Sequence, residues 1–123
     1  MIFAIIGLII GIVLGFLLNI NIPMKFSPYI SIAIIACIDS IFGAISANLS
    51  KTFRTDIFIS GFIGNAILAA LLVYLGDVLG IPIYIAAVIL FGSRIFNNFA
   101  IIRRLLLERA KFNKRWSDAD EDK

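Results

Sequence analysis

The stretch PYISIAIIACIDSIFGAISANL, Pro28 to Leu49, holds a single charged side chain, Asp39, in the middle of an otherwise apolar and small-residue run. A membrane-spanning helix needs about 20 mostly apolar residues, and this run is long enough. An ionised side chain at the centre of a bilayer costs roughly 2.5–3.5 kcal/mol on insertion scales. Such a group persists where it faces other helices and finds a partner. The matching group is Arg94, at the corresponding place in the apolar run Pro82 to Ile102. Pairing of Asp39 with Arg94 is therefore the central expectation, and it requires two membrane helices packed against each other.

The rest of the chain supports that setting. Of 123 residues 61% are hydrophobic, and mean hydropathy is +1.04, against roughly 45–50% apolar usage in soluble domains. A globule this small has too much surface to hide so many apolar side chains from water. The chain is read as an all-α, polytopic protein of the plasma membrane, a compact bundle of four transmembrane helices in residues 1–102. The spans fall at about 2–18, 28–49, 57–75 and 82–102. Residues 103–116 are expected to form a basic amphipathic juxtamembrane helix, and the acidic stretch 117–123 to be disordered. The first run lacks a basic leading segment, and Asn19-Ile20-Asn21 offers no small-residue cleavage site. It reads as a retained span rather than a secretory signal.

Small residues mark the helix faces that approach one another. Gly7, Gly11 and Gly15 recur every fourth residue and line one face of the first span, a spacing that lets helices pack closely. Self-association and packing on a neighbouring span of the same chain both fit. In the second span Ile32, Ala36, Asp39, Gly43 and Ser46 share a face by their alternating three- and four-residue spacing. The third span has Gly61 in line with Asn65 and Ala69, and Gly64 in line with Ser60. Asn19, Asn21 and Pro23 are expected to end the first helix. Ser27 would cap the second, with Pro28 in its first turn. Gly76, Asp77 and Gly80 are expected to break the third helix, and Pro82 to start the fourth.

A polar set could gather near the midplane: Asp39, Asn65 and Arg94, with Asn97 and Asn98 following Arg94 at three and four residues. One reading is a satisfied ion pair with amide support that holds the bundle together. The others are a proton or ion relay, a ligand site, and pairing with a partner's span. An internal echo bears on depth. Ile22-Pro23 precedes the second span and Ile81-Pro82 the fourth; Tyr29 stands ten residues before Asp39, and Tyr84 ten before Arg94. With both tyrosines at one interface, the two charges lie at equal depth, about 15 Å in at roughly 1.5 Å per residue.

Past Ile102 come Arg103, Arg104, Arg109, Lys111, Lys114 and Arg115, with Leu105, Phe112 and Trp116 on one helix face. These cations act as a topology signal or meet anionic lipid. Lys51 and Arg54 lie on the same side as this tail, while Lys25 and Asp77 lie opposite. The positive-inside rule then places both termini in the cytoplasm.

The chemistry-bearing residues exclude more than they suggest. The chain has no histidine, and Cys37 is its one cysteine, so there is no internal disulfide and no ligand set for zinc, haem or an iron–sulfur cluster. Neither G-x-S-x-G nor H-E-x-x-H occurs. No catalytic residue, metal site or cofactor is indicated, and an enzyme is the class least expected. A net charge of +3 and a pI near 9.3 arise chiefly from the juxtamembrane cluster, so nucleic acid is not implied.

An ordered set of local patterns resembles the small basic protein family of Gram-positive bacteria. It comprises Gly7 to Gly15, Ile22-Pro23, Ser31-Ile32-Ala33 leading to Asp39, and Ser60-Gly61-Phe62 with Asn65. Phe91-Gly92-x-Arg94-x-Phe96-x-Asn98 and Ile102-Arg103-Arg104 complete it. The resemblance implies a small integral membrane protein encoded near early cell-division genes, with no biochemical activity or catalytic residues to carry over. The function expected first is a non-enzymatic scaffold or subunit of a cell-envelope or division-associated membrane complex. Its partners would be membrane lipids together with copies of itself or another membrane protein of that machinery. No small-molecule ligand is indicated. The alternative is an ion or small-solute channel or carrier component using Asp39 and Arg94.

Overall fold

The computed structural model describes residues 2–122, so Met1 and Lys123, at the outer ends of the expected bundle and tail, lie outside the described residues. Four helices account for nearly all of it: α1, Ile2–Leu17; α2, Ser27–Leu49; α3, Thr55–Leu79; and α4, Tyr84–Glu121. A single 3-10 turn, Met24–Phe26, leads into α2. The chain is all-helical, and α2 with its leading turn, α3 and α4 are each long and apolar enough to cross a membrane. At 16 residues, α1 spans about 24 Å at roughly 1.5 Å per residue, short of a hydrocarbon core of about 30 Å.

The helix ends follow from local chemistry. Ser27 is the first residue of α2 and makes no side-chain cap bond; the entry is set instead by the 3-10 turn, where Phe26 N–H bonds to the Pro23 carbonyl at 2.9 Å. Pro28 sits in the first turn, where its missing N–H would be unpaired anyway. At the other end Lys51 adopts a left-handed φ of 59°. Thr52 N–H then reaches back to the Ala47 carbonyl (2.8 Å) and Lys51 N–H to that of Asn48 (3.1 Å), which satisfies carbonyls that a helix end leaves free. α3 runs straight through Gly76 and Asp77, where the sequence suggests a break, and stops at Gly80, whose φ is 69°. Ile81 N–H closes back on the Gly76 carbonyl at 3.0 Å.

Packing is centred on α2, which lies against both α3 and α4. Ile32 and Ala36 of α2, Ala69 and Val73 of α3, and Ala87 and Phe91 of α4 form the buried cluster, edged by Tyr29, Leu72 and Tyr84. All of these lie in the half of the bundle nearer the α3–α4 turn. Among lipid tails, helices gain little from apolar burial and associate through close van der Waals contact, which suits a core in which Ala36, Ala69 and Ala87 admit neighbouring backbones. Ile34, Ile63, Leu68 and Ile89 point outward and are exposed, an arrangement suited to lipid rather than to water.

Two expectations are corrected. The compact unit is a three-helix core, not a four-helix one: α1 adds no residue to the buried cluster, and most of its side chains are open. A Cβ placed at Gly7, Gly11 or Gly15 would meet nothing within 4 Å. The same is true of Gly61 and Gly64, so alanines rather than those glycines make the close approaches. The second correction concerns the tail. α4 is one helix of 38 residues, about 57 Å long, and it includes 117–121 rather than fraying there. No glycine or proline interrupts it after Gly92, so nothing in that stretch competes with continued helix.

The tightest place is the α3–α4 reversal. A Cβ on Gly76 would lie 2.6 Å from the Ile81 carbonyl oxygen and 3.2 Å from the Ile83 nitrogen, both backbone atoms that cannot turn aside. Gly76→Ala is expected to destabilise the fold by about 1–3 kcal/mol, as overpacking does. Gly64→Ala, in open space, should be neutral or stabilising by up to about 1 kcal/mol through helix propensity. Thermal unfolding of both variants in one detergent checks this, and equal behaviour would contradict the close approach.

Candidate functional site

Asp39 follows Ile32 and Ala36 on the buried face of α2, so the packing that builds the core also buries the carboxylate. Its side chain is 0% exposed. Arg94 comes to it from α4, one turn beyond Phe91, and places Nη2 3.4 Å from Asp39 Oδ2. The guanidinium is 47% exposed. The two groups therefore face each other at one depth, as the spacing from Tyr29 and Tyr84 implies. The contact is long, however. Charge-assisted N–H···O bonds run at about 2.7–2.9 Å, and among the described residues neither Asp39 oxygen has a hydrogen-bond partner. A buried acceptor left without a donor costs roughly 1–3 kcal/mol, more when charged. The pair attracts, but it is not closed.

Next to this pair lies a cleft of about 210 Å³. Asp39, Ser40, Gly43, Ala44 and Ala47 of α2 form one wall, and Ile57, Phe58, Gly61, Phe62 and Asn65 of α3 form another. Arg94 stands at the α4 side, while Thr52, Phe53 and Arg54 of the α2–α3 loop form the mouth. The rings of Phe53 in the loop and of Phe58 and Phe62 on α3 follow one another from the mouth inward at centroid separations of 5.9 and 6.2 Å. Arg54 is held at the rim by Asp56, Nη2 to Oδ2 at 2.7 Å. The bundle thus has a filled half towards the α3–α4 turn and an open half towards the α2–α3 loop, with Asp39 at their junction.

The expected polar set divides. Asn65 lines the cleft with Asp39 and Arg94, although it does not bond to the carboxylate. Asn98 is half-buried against α2, where a Cβ on Gly43 would lie 3.8 Å from its Nδ2. Asn97 is exposed. Neither amide lines the cleft with Asp39 and Arg94, so the five residues do not form one network. Arg103, Arg104, Arg109, Lys111, Lys114 and Arg115 are all exposed along the α4 extension, where Phe112 and Trp116 stack edge to face at 6.0 Å. Among the described residues no cluster of His, Cys, Asp and Glu is placed to hold a metal ion.

The cleft has no counterpart among the sequence expectations: Ser40, Thr52 and the Phe53–Phe58–Phe62 ladder belong to it, and only the five- and four-residue spacing of the three phenylalanines signals it. At the opposite end Tyr29 OH donates to Asp77 Oδ2 at 3.3 Å, tying α2 to α3 beside Lys25 and Tyr74.

The asymmetry of the central pair yields a prediction. Arg94→Leu leaves a wholly buried carboxylate with no charge opposite it and is expected to cost about 3 kcal/mol, the lower end for breaking a buried pair. Asp39→Leu leaves a guanidinium that is 47% exposed and whose long stem can carry it toward the membrane interface, and should cost clearly less. Unfolding of both variants in lipid nanodiscs reads the difference; equal losses would contradict the one-sided burial.

A family described as "Protein of unknown function (DUF1290)" matches residues 22–107, a segment that takes in α2, α3 and the bundle portion of α4. A "Small basic protein" of Bacillus subtilis is 41% identical over 115 residues, covering 94% of this chain and 95% of its own length. Uncharacterized proteins of Mycobacterium tuberculosis and Mycobacterium bovis are each 39% identical over 88 residues, 70% of this chain and 73% of theirs. No solved structure matches the chain. A match over most of its length, together with relatives at these identities, makes the chain a member of the DUF1290 family of small basic proteins.

Proposed function

We propose that this protein is a non-enzymatic subunit of a membrane assembly, acting as a scaffold in the cell envelope or its division machinery. The observation that carries the reading is the state of α1. An apolar helix with Gly7, Gly11 and Gly15 on one face lies apart from the core, and an added Cβ on any of the three would meet nothing within 4 Å. Glycine ridges of this spacing suit close packing on another helix, and the three-helix core supplies none. A second copy of the chain or another membrane protein fills that role.

In this reading all four apolar helices cross the plasma membrane. The apolar residues Leu18, Ile20 and Ile22 just after α1 lengthen its hydrophobic reach, and a bilayer accommodates a short span by local thinning. Lys51 and Arg54 share the side of the α4 extension with its six basic residues, whereas Lys25 and Asp77 lie opposite. The positive-inside rule therefore puts both termini in the cytoplasm. At about 57 Å, α4 is nearly twice the hydrocarbon thickness of about 30 Å, so its basic end stands in the cytoplasm within reach of anionic lipid and of partners. The link to envelope or division machinery rests on the gene neighbourhood that the family resemblance implies.

A channel or carrier component built on Asp39 and Arg94 is the second reading, favoured by the open half of the bundle. The cleft there is walled by none of the residues that fill the other half, so one chain offers a dead-ended vestibule rather than a path.

Purification of the tagged full-length protein from its native membrane in mild detergent tests the scaffold reading. The expected result is a stoichiometric complex, homomeric or with another membrane protein, that is lost in Gly11→Leu while the variant's own melting temperature is kept. A monomeric parent protein, or a complex that Gly11→Leu leaves intact, would contradict it.

A further inference from the structure

The cleft beside Asp39 has the features of a built site. Among its lining groups is a carboxylate with no exposure and, among the described residues, no donor on either oxygen, in surroundings where an unmet acceptor is expensive. Beside it the Arg94 guanidinium, held by a single contact of 3.4 Å, turns nearly half its surface outward. Arg54 at the mouth is already matched by Asp56. Asp39 and Arg94 therefore set one negative and one positive group side by side in the lining of the cleft, each short of partners among the described residues.

This pattern selects by charge. A simple anion drawn to Arg94 meets Asp39, and a simple cation drawn to Asp39 meets Arg94. A molecule with an ammonium a few bonds from an anionic group satisfies both. The ammonium carries only donors, which Asp39 lacks, and the anion accepts from the free N–H groups of Arg94. Ser40 and Asn65 add further polar groups, and the Phe53–Phe58–Phe62 wall takes a short alkyl segment. Size narrows the choice. At about 210 Å³ the cleft falls below the roughly 300–1,000 Å³ typical of drug-sized ligands.

We propose that the cleft between α2, α3 and Arg94 binds a small zwitterion, a primary ammonium close to a carboxylate or phosphate, with the ammonium on Asp39 and the anion on Arg94. The source is either a free amino-acid-like molecule entering past Thr52 and Arg54, or the ethanolamine phosphate headgroup of a membrane lipid. The chemistry at the pair is the same for both.

Melting temperature of the full-length protein is the readout. In nanodiscs of phosphatidylcholine, glycine and O-phosphoethanolamine are added at millimolar concentration, with glycine betaine and phosphocholine as matched probes whose nitrogen has no N–H. In a second arm phosphatidylethanolamine replaces part of the phosphatidylcholine. Gly61→Leu serves as the blocking variant. Gly61 lines the cleft, and a Cβ there meets nothing within 4 Å, so a larger side chain on this wall is expected to occupy the site at little cost to the fold. The expected result is a rise in melting temperature with the N–H-bearing probes and not with the trimethylated ones. Apparent affinity should fall at least about tenfold in Gly61→Leu and in Arg94→Gln. A response to the soluble probes assigns a free zwitterion, and a response confined to phosphatidylethanolamine assigns the headgroup. No response in either arm, or a response that Gly61→Leu leaves unchanged, overturns the proposal.

Discussion

The structure depends on where one carboxylate is allowed to sit. Asp39 is wholly buried at the junction of α2, α3 and α4, and the positive group opposite it comes from α4. In a low-dielectric surrounding a charge without a partner is expensive enough to forbid most arrangements of three apolar helices. An arrangement that brings Arg94 to Asp39 is one of the few that remain. Apolar helices in lipid have little other reason to choose one register over another, because lipid tails are as apolar as their own side chains. The ion pair therefore selects the register, and small side chains such as Ala36, Ala69 and Ala87 let the backbones close on it.

The pair also divides the bundle. Towards the α3–α4 turn, Ile32, Val73 and Phe91 fill the space between helices, and the close passage over Gly76 locks the reversal. Towards the α2–α3 loop, the small residues Gly43, Ala44, Ala47 and Gly61 leave the cleft open. A firm half and an open half thus meet at an ion pair whose contact is 3.4 Å long.

Much of this was legible in the chain, for physical reasons that can be named. The buried face of α2 is readable because Ile32, Ala36, Asp39 and Ser46 recur at helical spacing, and all four are buried. The meeting of Asp39 with Arg94 is readable because each stands ten residues past a tyrosine at the same end of the bundle. Other features were not readable. Glycine spacing at Gly7, Gly61 and Gly64 signals that a helix can approach, not that one does, and within the chain alanines make the approaches. Gly76 and Asp77 resemble a helix break, yet a single left-handed residue, Gly80, ends α3. Asn97 and Asn98 look like partners of Arg94 in sequence, but Asn97 is exposed and Asn98 lies beside Gly43 instead. The acidic composition of 117–121 suggests disorder, whereas α4 runs through it from a well-nucleated helix. The open cleft depends on how three helices diverge, which no local pattern encodes.

Direct contact between Asp39 and Arg94 inside the bundle sets the register of the three helices. The most direct measurement is a charge exchange, comparing thermal unfolding of Asp39→Arg, Arg94→Asp and the double variant in the same lipid nanodiscs. Direct pairing predicts that the double variant is more stable than either single variant, because each single change sets two like charges together and the double restores opposition. A double variant no more stable than the worse single change would contradict the pairing, and with it the register of the three helices.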